Sequence, residues 1–155
     1  MNAAPVVRHG DAHDHEFVRG LGRRTVHQSV SALRPADASP VRASYDRLLE
    51  FAFAQSHVLL VADFADEPAG FLLLLDALPD EVTSLTQGFV AYMAVEPQVQ
   101  RHGVGAALLE AAETLARARG LPHLALMVTD DNVAARELYA QAGYVTERRL
   151  LCKAL

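Results

Sequence analysis

The chain has 155 residues, of which 51% are hydrophobic, and a formal net charge of −5. This length and composition predict one folded domain over residues 1–155 and exclude a disordered chain. The sequence has no basic cluster, which argues against non-specific nucleic-acid binding. The negative charge mildly favours a cationic partner such as an amine.

The sequence also indicates how the protein relates to membranes and in which cellular compartment it occurs. The longest apolar run, residues 71–75, is far too short to span a bilayer. Residues 1–7 are neither basic nor followed by a long apolar stretch, so we expect no secretory signal. Cys152 is the only cysteine, which excludes an internal disulfide and fits a reducing compartment. We therefore expect a cytoplasmic protein with no membrane partner.

The first half of the chain predicts a strand, two helices and a hairpin. A short strand over residues 5–9 precedes a helix that Asp11 caps and that the glycines at 20 and 22 end. Residues 25–38 show no regular pattern, and Ser39 then caps a second helix with Pro40 in its first turn. Strands over residues 57–63 and 69–76 flank a turn at residues 65–68.

The second half predicts a parallel strand–helix–strand unit. A strand over residues 87–95 follows an exposed connection at 77–86, and a helix covers residues 103–119. Gly120 and Pro122 end this helix, and a strand over residues 124–128 follows, so the crossover is parallel and right-handed. A last helix at 132–142 and a final strand at 144–151 complete an α/β fold with a mixed sheet. The apolar stripe of the helix at 103–119 is predicted to comprise Val104, Leu108, Ala111, Leu115 and Ala118.

The loop that joins the strand at 87–95 to the next helix is the most informative feature. Glu96 and Pro97 stop the strand, and Gly103 and Gly105 then open directly into the helix. The amides in a helix's first turn have no partners inside the helix, and the helix dipole adds positive charge there. Glycine lets a ligand approach the backbone closely. The loop is therefore a candidate phosphate or pyrophosphate site.

Three families of glycine loop compete for this sequence. A P-loop requires Lys and Ser or Thr after the glycine, but Ala106 follows Gly105. A dinucleotide fingerprint requires a third glycine or alanine where Leu108 stands. The third pattern, Gln/Arg-x-x-Gly-x-Gly/Ala, is matched in full. The matching residues are Gln100, Arg101, His102, Gly103, Val104 and Gly105.

Here the chain resembles the GNAT superfamily of N-acetyltransferases, in which this loop holds the pyrophosphate of acetyl-CoA. A second motif, Asn-x-x-Ala-x-x-Leu-Tyr-x-x-x-Gly-Phe/Tyr, is matched from Asn132 to Tyr144. The order of the two motifs and the strand between them also fit. The resemblance implies a mixed, mostly antiparallel sheet with helices on both faces. It also implies acetyl-CoA as the acyl donor, with no metal.

The resemblance assigns residues to the cofactor and to the chemistry. It places Met93, Ala94 and Val95 beside the pantetheine arm, which pairs with the strand as an added strand would. The loop from Gln100 to Ala106 and the helix cap Asn132 complete the cofactor site. Tyr139 would protonate the leaving thiolate, although most tyrosines on such an apolar stripe belong to the core.

The general base is not defined by the sequence. Many relatives place a carboxylate on the strand before the loop, and the strand at 89–95 has none. Tyr92 stands in that neighbourhood and is a candidate base or acceptor-pocket aromatic. Glu81 and His57 are alternative bases, although each is more typical of a surface position. A chain of water molecules is a further alternative.

The sequence leaves several further sites and functions undecided. His9, Asp11, His13 and His15 suggest a metal site, but His13 and His15 would point to different helix faces. Arg23, Arg24 and His27 fall in the region that shapes the acceptor pocket in relatives. A non-catalytic acyl-CoA-binding domain and a nucleotide-binding protein are alternatives to an enzyme. The acceptor amine is unidentified, and a homodimer is expected only by analogy. Cys152 is expected to be a small apolar residue in the last strand.

Overall fold

The computed structural model describes residues 3–155, which form one mixed sheet and four α-helices. The strands are β1 (Val6–His9), β2 (His57–Phe64), β3 (Glu67–Leu75), β4 (Gly88–Val95) and β5 (Leu124–Leu126). The helices are α1 (His15–Thr25), α2 (Ala38–Ala54), α3 (Val104–Ala118) and α4 (Val133–Gln141). Short 3₁₀ turns lie before α1, after α1 and before α3.

The strands lie in chain order across the sheet. β1, β2, β3 and β4 pair antiparallel with their neighbours, and β5 pairs parallel with β4. The predicted fold class is therefore confirmed, including the parallel unit formed by β4, α3 and β5. Helices cover both faces, with α1 and α2 on one side and α3 on the other.

The position of β3 at the centre of the sheet explains its apolar sequence. Successive side chains of a strand point to opposite faces. Phe71 and Leu73 pack against α1 and α2, whereas Leu72 and Leu74 pack against α3. Because β3 is covered on both sides, neither face of its sequence needs polar residues.

The hairpin between β2 and β3 is tighter than the sequence suggests. Ala65 and Asp66 have φ values of 51° and 65°, so both central residues are left-handed, as in a type I′ turn. Phe64 pairs with Glu67 across this turn. β3 therefore begins two residues earlier than predicted, and Pro68 lies within the strand.

The predicted end of the first helix is wrong. Asp11 does cap a turn, since its carboxylate accepts from the His13 amide at 2.8 Å, but α1 then continues through Gly20 and Gly22 to Thr25. The reason is packing: the ring of Tyr45 on α2 occupies the space that a Cβ at Gly22 would need. The Tyr45 hydroxyl donates to the Val18 carbonyl at 2.7 Å, which fixes the ring there.

This contact predicts opposite effects for two glycines of the same helix. Gly22→Ala is expected to destabilise the protein by about 2 kcal/mol or more, because the new methyl group overlaps the buried Tyr45 ring. Gly20→Ala is the matched control, since its Cβ would meet nothing within 4 Å. It should stabilise the protein by roughly 0.5–1 kcal/mol, the usual gain over glycine in a helix. Denaturant unfolding of both variants checks this, and equal midpoints would refute the packing argument.

The C-terminal part of the chain differs most from expectation. α4 forms as predicted, but residues 144–151 form no strand, and within residues 3–155 no strand pairs with the outer edge of β5. Cys152 is exposed rather than packed in a strand. The buried stripe of α3 is also rotated from the predicted one. It comprises Val104, Leu108, Leu109, Ala112 and Ala116.

Candidate active site

The loop after β4 uses two left-handed residues to reverse the chain into α3. Arg101 has a φ of 67° and Gly103 a φ of 82°. Pro97 begins a single 3₁₀ turn before them, and α3 begins at Val104, directly after Gly103. The first turn of α3 therefore opens onto the end of β4.

This loop presents a row of amides without protein partners. Across residues 3–155, no protein acceptor receives a hydrogen bond from the amides of Arg101, Gly103, Val104, Gly105 or Ala106. The Arg101 and His102 side chains are exposed beside them. Unpaired amides and a positive helix end are the features that bind phosphate groups. The residues present therefore fit a pyrophosphate.

Close packing at Gly105 brings the second motif to this loop. A Cβ at Gly105 would lie 2.9 Å from Cδ2 of Leu138 and 3.8 Å from Cγ2 of Val95. The absence of a side chain at Gly105 lets α4 approach the first turn of α3. Tyr139, the residue after Leu138, consequently lies on the same side of the sheet as the loop. The two sequence motifs thus meet in one region.

The second half of β4 has a free edge beside the loop. Pairing between β4 and β5 ends at Val90 and Leu126, whereas β4 stays paired with β3 up to Val95. The Glu96 amide donates toward β3, to the Ala69 carbonyl at 2.7 Å. Because strand residues alternate in direction, Met93 and Val95 present their amide and carbonyl groups to the open side. An extended ligand with amide groups could pair there.

Tyr139 is half-buried on α4, and its hydroxyl makes no hydrogen bond within the described residues. Its ring lies 6.0 Å from that of Tyr144. Burial raises the pKa of Tyr139 to about 12, with a smaller contribution from Tyr92. At neutral pH Tyr139 is therefore a protonated phenol with a free donor.

Tyr92 makes mainly structural contacts on the opposite face of β4. Its ring lies 4.8 Å from Tyr45 and 5.9 Å from Phe71. Its hydroxyl lies 3.1 Å from Oγ1 of Thr25, which also donates to the Leu21 carbonyl. Burial raises the pKa of Tyr92, so its phenol is protonated at neutral pH. Its role as a base or pocket residue stays a prediction.

The structure does not bring the other candidate bases to the loop. His57 pairs with Leu75, and Leu75 pairs with Phe89 at the beginning of β4. Glu81 lies in the connection that leads into β4. At about 3.3 Å per residue, the eight residues of β4 separate that end from the loop by roughly 25 Å. A catalytic role for Glu81 is untested and would need a large rearrangement.

A carboxylate that the sequence reasoning missed does lie beside the loop. Glu96 follows β4 directly, and Arg24 of α1 donates to its two oxygens at 2.6 and 2.9 Å. Glu96 lies on the same side of the sheet as Tyr92 and Ala94. The alternation 92, 94, 96 could have identified it, but the predicted strand was searched for a carboxylate only up to Val95.

A groove of about 500 Å³ lies between the end of α1, the segment that follows it, the beginning of α2 and Asp131. Arg23, Arg24 and His27, which fall in the predicted acceptor region, line it. Two hydrogen bonds join the segment after α1 to residues that follow β5. The Thr129 hydroxyl donates to the Ser29 carbonyl at 2.7 Å, and the Ala32 amide donates to the Asp131 carboxylate at 2.8 Å. Arg24, which lines the groove, also donates to Glu96, the residue that follows β4, so the groove lies near that end of the strand.

Asn132 and the histidines have simpler roles. The Asn132 side chain caps α4 by accepting from the Ala135 amide at 3.2 Å. Asp11 bonds to His13, and His15 stacks on Phe53 with centroids 4.3 Å apart. No group of three or more His, Cys, Asp or Glu side chains within residues 3–155 could hold a metal ion. In the same range, no helix combines the length and apolar character that a bilayer span requires.

The fold and loop define a class of α/β protein: a mixed sheet whose parallel pair opens beside a helix end with unpaired amides. The sequence model of the acetyltransferase (GNAT) family matches residues 19–144. This chain therefore belongs to the GNAT family of acetyltransferases.

The sequence matches cover only part of each curated relative. It is 32% identical over 139 residues to a mycothiol acetyltransferase of Sanguibacter keddieii, a match that covers 90% of this chain and 39% of the relative. It is 34% identical over 56 residues to the uncharacterized protein YxbD of Bacillus subtilis, covering 36% of this chain and 35% of that protein. The chain thus spans about two fifths of the length of these curated relatives, or less.

Solved structures share the fold over nearly the whole chain. A putative acetyl transferase from Pyrococcus furiosus superposes with a TM-score of 0.81 at 24% identity, covering 97% of this chain and 99% of that one. A ribosomal-protein-alanine N-acetyltransferase from Brucella melitensis gives 0.70 at 20% identity, covering 98% and 99%. The aminoglycoside N-acetyltransferase AAC(6')-Iy, solved with CoA, gives 0.70 at 15% identity, covering 100% and 97%.

Proposed function

We propose that this chain is an acetyl-CoA-dependent N-acetyltransferase that moves the acetyl group directly to a primary amine. The observation that carries the proposal is the set of unpaired amides at Arg101 and from Gly103 to Ala106, beside the free edge of β4. Arg101 and His102 add exposed side chains that can meet phosphate groups. A cytoplasmic location, which the single cysteine favours, belongs to the same proposal.

The loop would bind the pyrophosphate of acetyl-CoA, and the strand edge would bind its pantetheine arm. The amides of Gly103, Gly105 and Ala106 would bind the pyrophosphate. The open groups of Met93 and Val95 would pair with the amides of the pantetheine arm. When bound, acetyl-CoA supplies an activated acyl thioester. Ala94, whose backbone faces β3, would contribute packing rather than hydrogen bonds.

Tyr139 would supply the proton that the reaction needs. Transfer forms a C–N bond, breaks the C–S bond, removes a proton from the amine and adds one to sulfur. The Tyr139 hydroxyl is a free donor on the cofactor side of the sheet and can hold that proton for the sulfur. The amine must be neutral to attack, and a peptide α-amine reaches that state more easily than a lysine side chain.

The acceptor would bind in the groove formed by the end of α1, the segment after it and the beginning of α2. Arg24 and Asp131 line this groove, and Arg24 donates a hydrogen bond to the Glu96 carboxylate. Several relatives carry names of acetyltransferases for small molecules, such as mycothiol and aminoglycosides, and one acts on a ribosomal-protein alanine. We therefore rank small-molecule amines first and a peptide N-terminus second.

One observation favours a second function, a non-catalytic acyl-CoA-binding domain. Glu96 is the carboxylate that lies beside the loop, and the Arg24 guanidinium engages both of its oxygens. Both carboxylate oxygens of Glu96 are engaged in this charge-assisted pair, so an amine would have to displace Arg24 to reach them. This alternative predicts binding of acetyl-CoA without transfer to any amine.

Thermal unfolding with and without acetyl-CoA tests the proposal first. A ligand in hundredfold excess over its Kd stabilises the folded state by about 2.7 kcal/mol. This stabilisation corresponds to an increase in Tm of roughly 5–10 °C in a domain of this size. ATP and NAD are the controls and should leave the midpoint unchanged. No increase at millimolar acetyl-CoA would contradict both candidate functions.

A panel of amines with thiol-release detection then separates the two functions. It should include a polyamine, an aminoglycoside, free amino acids, peptides with N-terminal alanine, and N-acetyl-lysinamide, whose one free amine is the side chain. Release of CoA that depends on one of these amines supports the transferase. Binding without release across the panel supports the acyl-CoA-binding domain.

A further inference from the structure

The groove formed by the end of α1, the segment after it and the beginning of α2 is cationic, although the whole chain has a net charge of −5. Three arginines line it, Arg23, Arg24 and Arg42. Asp131 is the one acidic residue among the described residues that line it, and its carboxylate already accepts from a backbone amide. The groove therefore favours a ligand with an anionic group and disfavours a ligand with several cations.

The three arginines differ in whether an acid of the chain already binds them. Arg24 donates to both oxygens of Glu96, and Nε of Arg23 lies 3.5 Å from Asp46. Arg42 is exposed and makes no ion pair or hydrogen bond with any described residue. A guanidinium presents a planar fork of N–H donors that matches a carboxylate. Arg42 is therefore the guanidinium that is free to bind a carboxylate of a ligand.

The beginning of α2 adds positive charge beside Arg42. Ala38, the first residue of this 17-residue helix, also lines the groove. The Asp37 side chain does not cap the helix, and the amides of Ala38 and Ser39 bond to no acceptor within residues 3–155. Free amides and the helix dipole favour an anion at a helix N-terminus. The guanidinium and the helix end thus favour the same sign of charge.

The groove also has apolar walls. Val26, Val30 and Pro35 line it from the segment after α1, and Val41 lines it from α2. Apolar walls bind the apolar part of a ligand, whereas a few polar groups fix its orientation. A polyamine or an aminoglycoside would bring further ammonium groups against the arginines and offer little apolar surface in return.

We propose that the acceptor is an amine with an apolar body and a carboxylate, and that Arg42 binds this carboxylate. The inference rests on the proposed transferase function and names the substrate class of the same groove. The amine lies at the end of the groove near Glu96, which follows β4, and the carboxylate lies at the beginning of α2. Amino-acid derivatives with a free carboxylate and short peptides with an acidic side chain have this chemistry.

Calorimetric titration of two matched pairs of probes tests the inference without turnover, on the protein saturated with CoA. Leucyl-glycine and leucyl-glycinamide have the same amine and apolar side chain and differ in the terminal carboxylate. Leucyl-glutamic acid amide and leucyl-glutamine amide differ in a side-chain carboxylate. In at least one pair, the carboxylate member should bind about fivefold more tightly, as expected for a pair with an exposed guanidinium. The pair that shows this preference distinguishes a small-molecule carboxylate from an acidic peptide side chain.

Variants of α2 assign the preference to Arg42. Arg42→Gln should bind both members of the pair equally, with unchanged affinity for the neutral member, and Arg42→Lys should keep part of the preference. Arg47→Gln is the matched control, since Arg47 is exposed on the same helix, bonds to Ser44 and does not line the groove. It should behave like the wild type. In transfer assays, Arg42→Gln should raise KM for the carboxylate acceptor and leave kcat nearly unchanged.

The outcomes separate this inference from the proposed function. Equal affinity for both members of both pairs, or no binding of any probe, would overturn the inference, as would a preference that survives in Arg42→Gln. Release of CoA with a polyamine or an aminoglycoside, but with no carboxylate-bearing amine, would also overturn it and would still support the transferase. A preference that Arg42→Gln abolishes, without release of CoA from any amine, would support the carboxylate site and contradict the transferase.

Discussion

Replacing Tyr139 with phenylalanine is expected to lower kcat by about 100-fold, the lower range for losing a general acid. The phenyl ring keeps its packing against Tyr144, and only the free hydroxyl is lost. Binding of acetyl-CoA should therefore be unchanged, because the loop amides and the edge of β4 remain. Steady-state kinetics with the best acceptor, together with acetyl-CoA titration, would measure both effects.

The pH dependence of this variant gives a sharper test of the role of Tyr139. Since the pKa of Tyr139 is raised from 10.0 to about 12, the phenol stays protonated throughout the assay range. The loss of kcat in Tyr139→Phe should therefore be the same at every pH, and any alkaline decline should persist in both enzymes. Tyr144→Phe is the matched control and should keep the wild-type rate. A wild-type rate for Tyr139→Phe at all pH values would remove Tyr139 from the mechanism.

Gly103→Val is expected to weaken acetyl-CoA binding by at least about tenfold. Gly103 has a φ of 82°, a conformation that costs other residues about 1–2 kcal/mol, with a larger penalty for β-branched ones. The backbone must relax, and the amides of Val104 and Gly105 then lose their common direction. Each misaligned amide makes a weaker hydrogen bond to the pyrophosphate. Calorimetric titration with acetyl-CoA measures the change.

Gly120→Val separates this effect from simple destabilisation. Gly120 lies at the other end of α3, has a φ of 69°, and like Gly103 has nothing within 4 Å of an added Cβ. Both variants should lose similar stability, roughly 1–2 kcal/mol, but only Gly103→Val should lose affinity. If the two variants bind acetyl-CoA equally well, the loop is a turn and not the pyrophosphate site.

The sequence by itself determined the elements whose signals are local. The helix stripe and the glycines around residue 103 defined α3 and its loop, and the Asn132 cap defined the beginning of α4. The order of strands and helices was enough to predict a mixed sheet with a parallel crossover. The two motifs also identified the family, because each depends on residues close together in the chain.

Only the tertiary structure decided the features that depend on distant partners. α1 passes through Gly20 and Gly22 because the ring of Tyr45, on another helix, fills the space beside Gly22. Glu96 acquires its environment from Arg24, which is 72 positions away in the sequence. The segment at 144–151 was predicted to be a strand but has no partner edge within the described chain, and a strand exists only when its backbone groups are paired. Periodicity predicts which residues could pair, whereas the position of the neighbouring backbone decides whether they do.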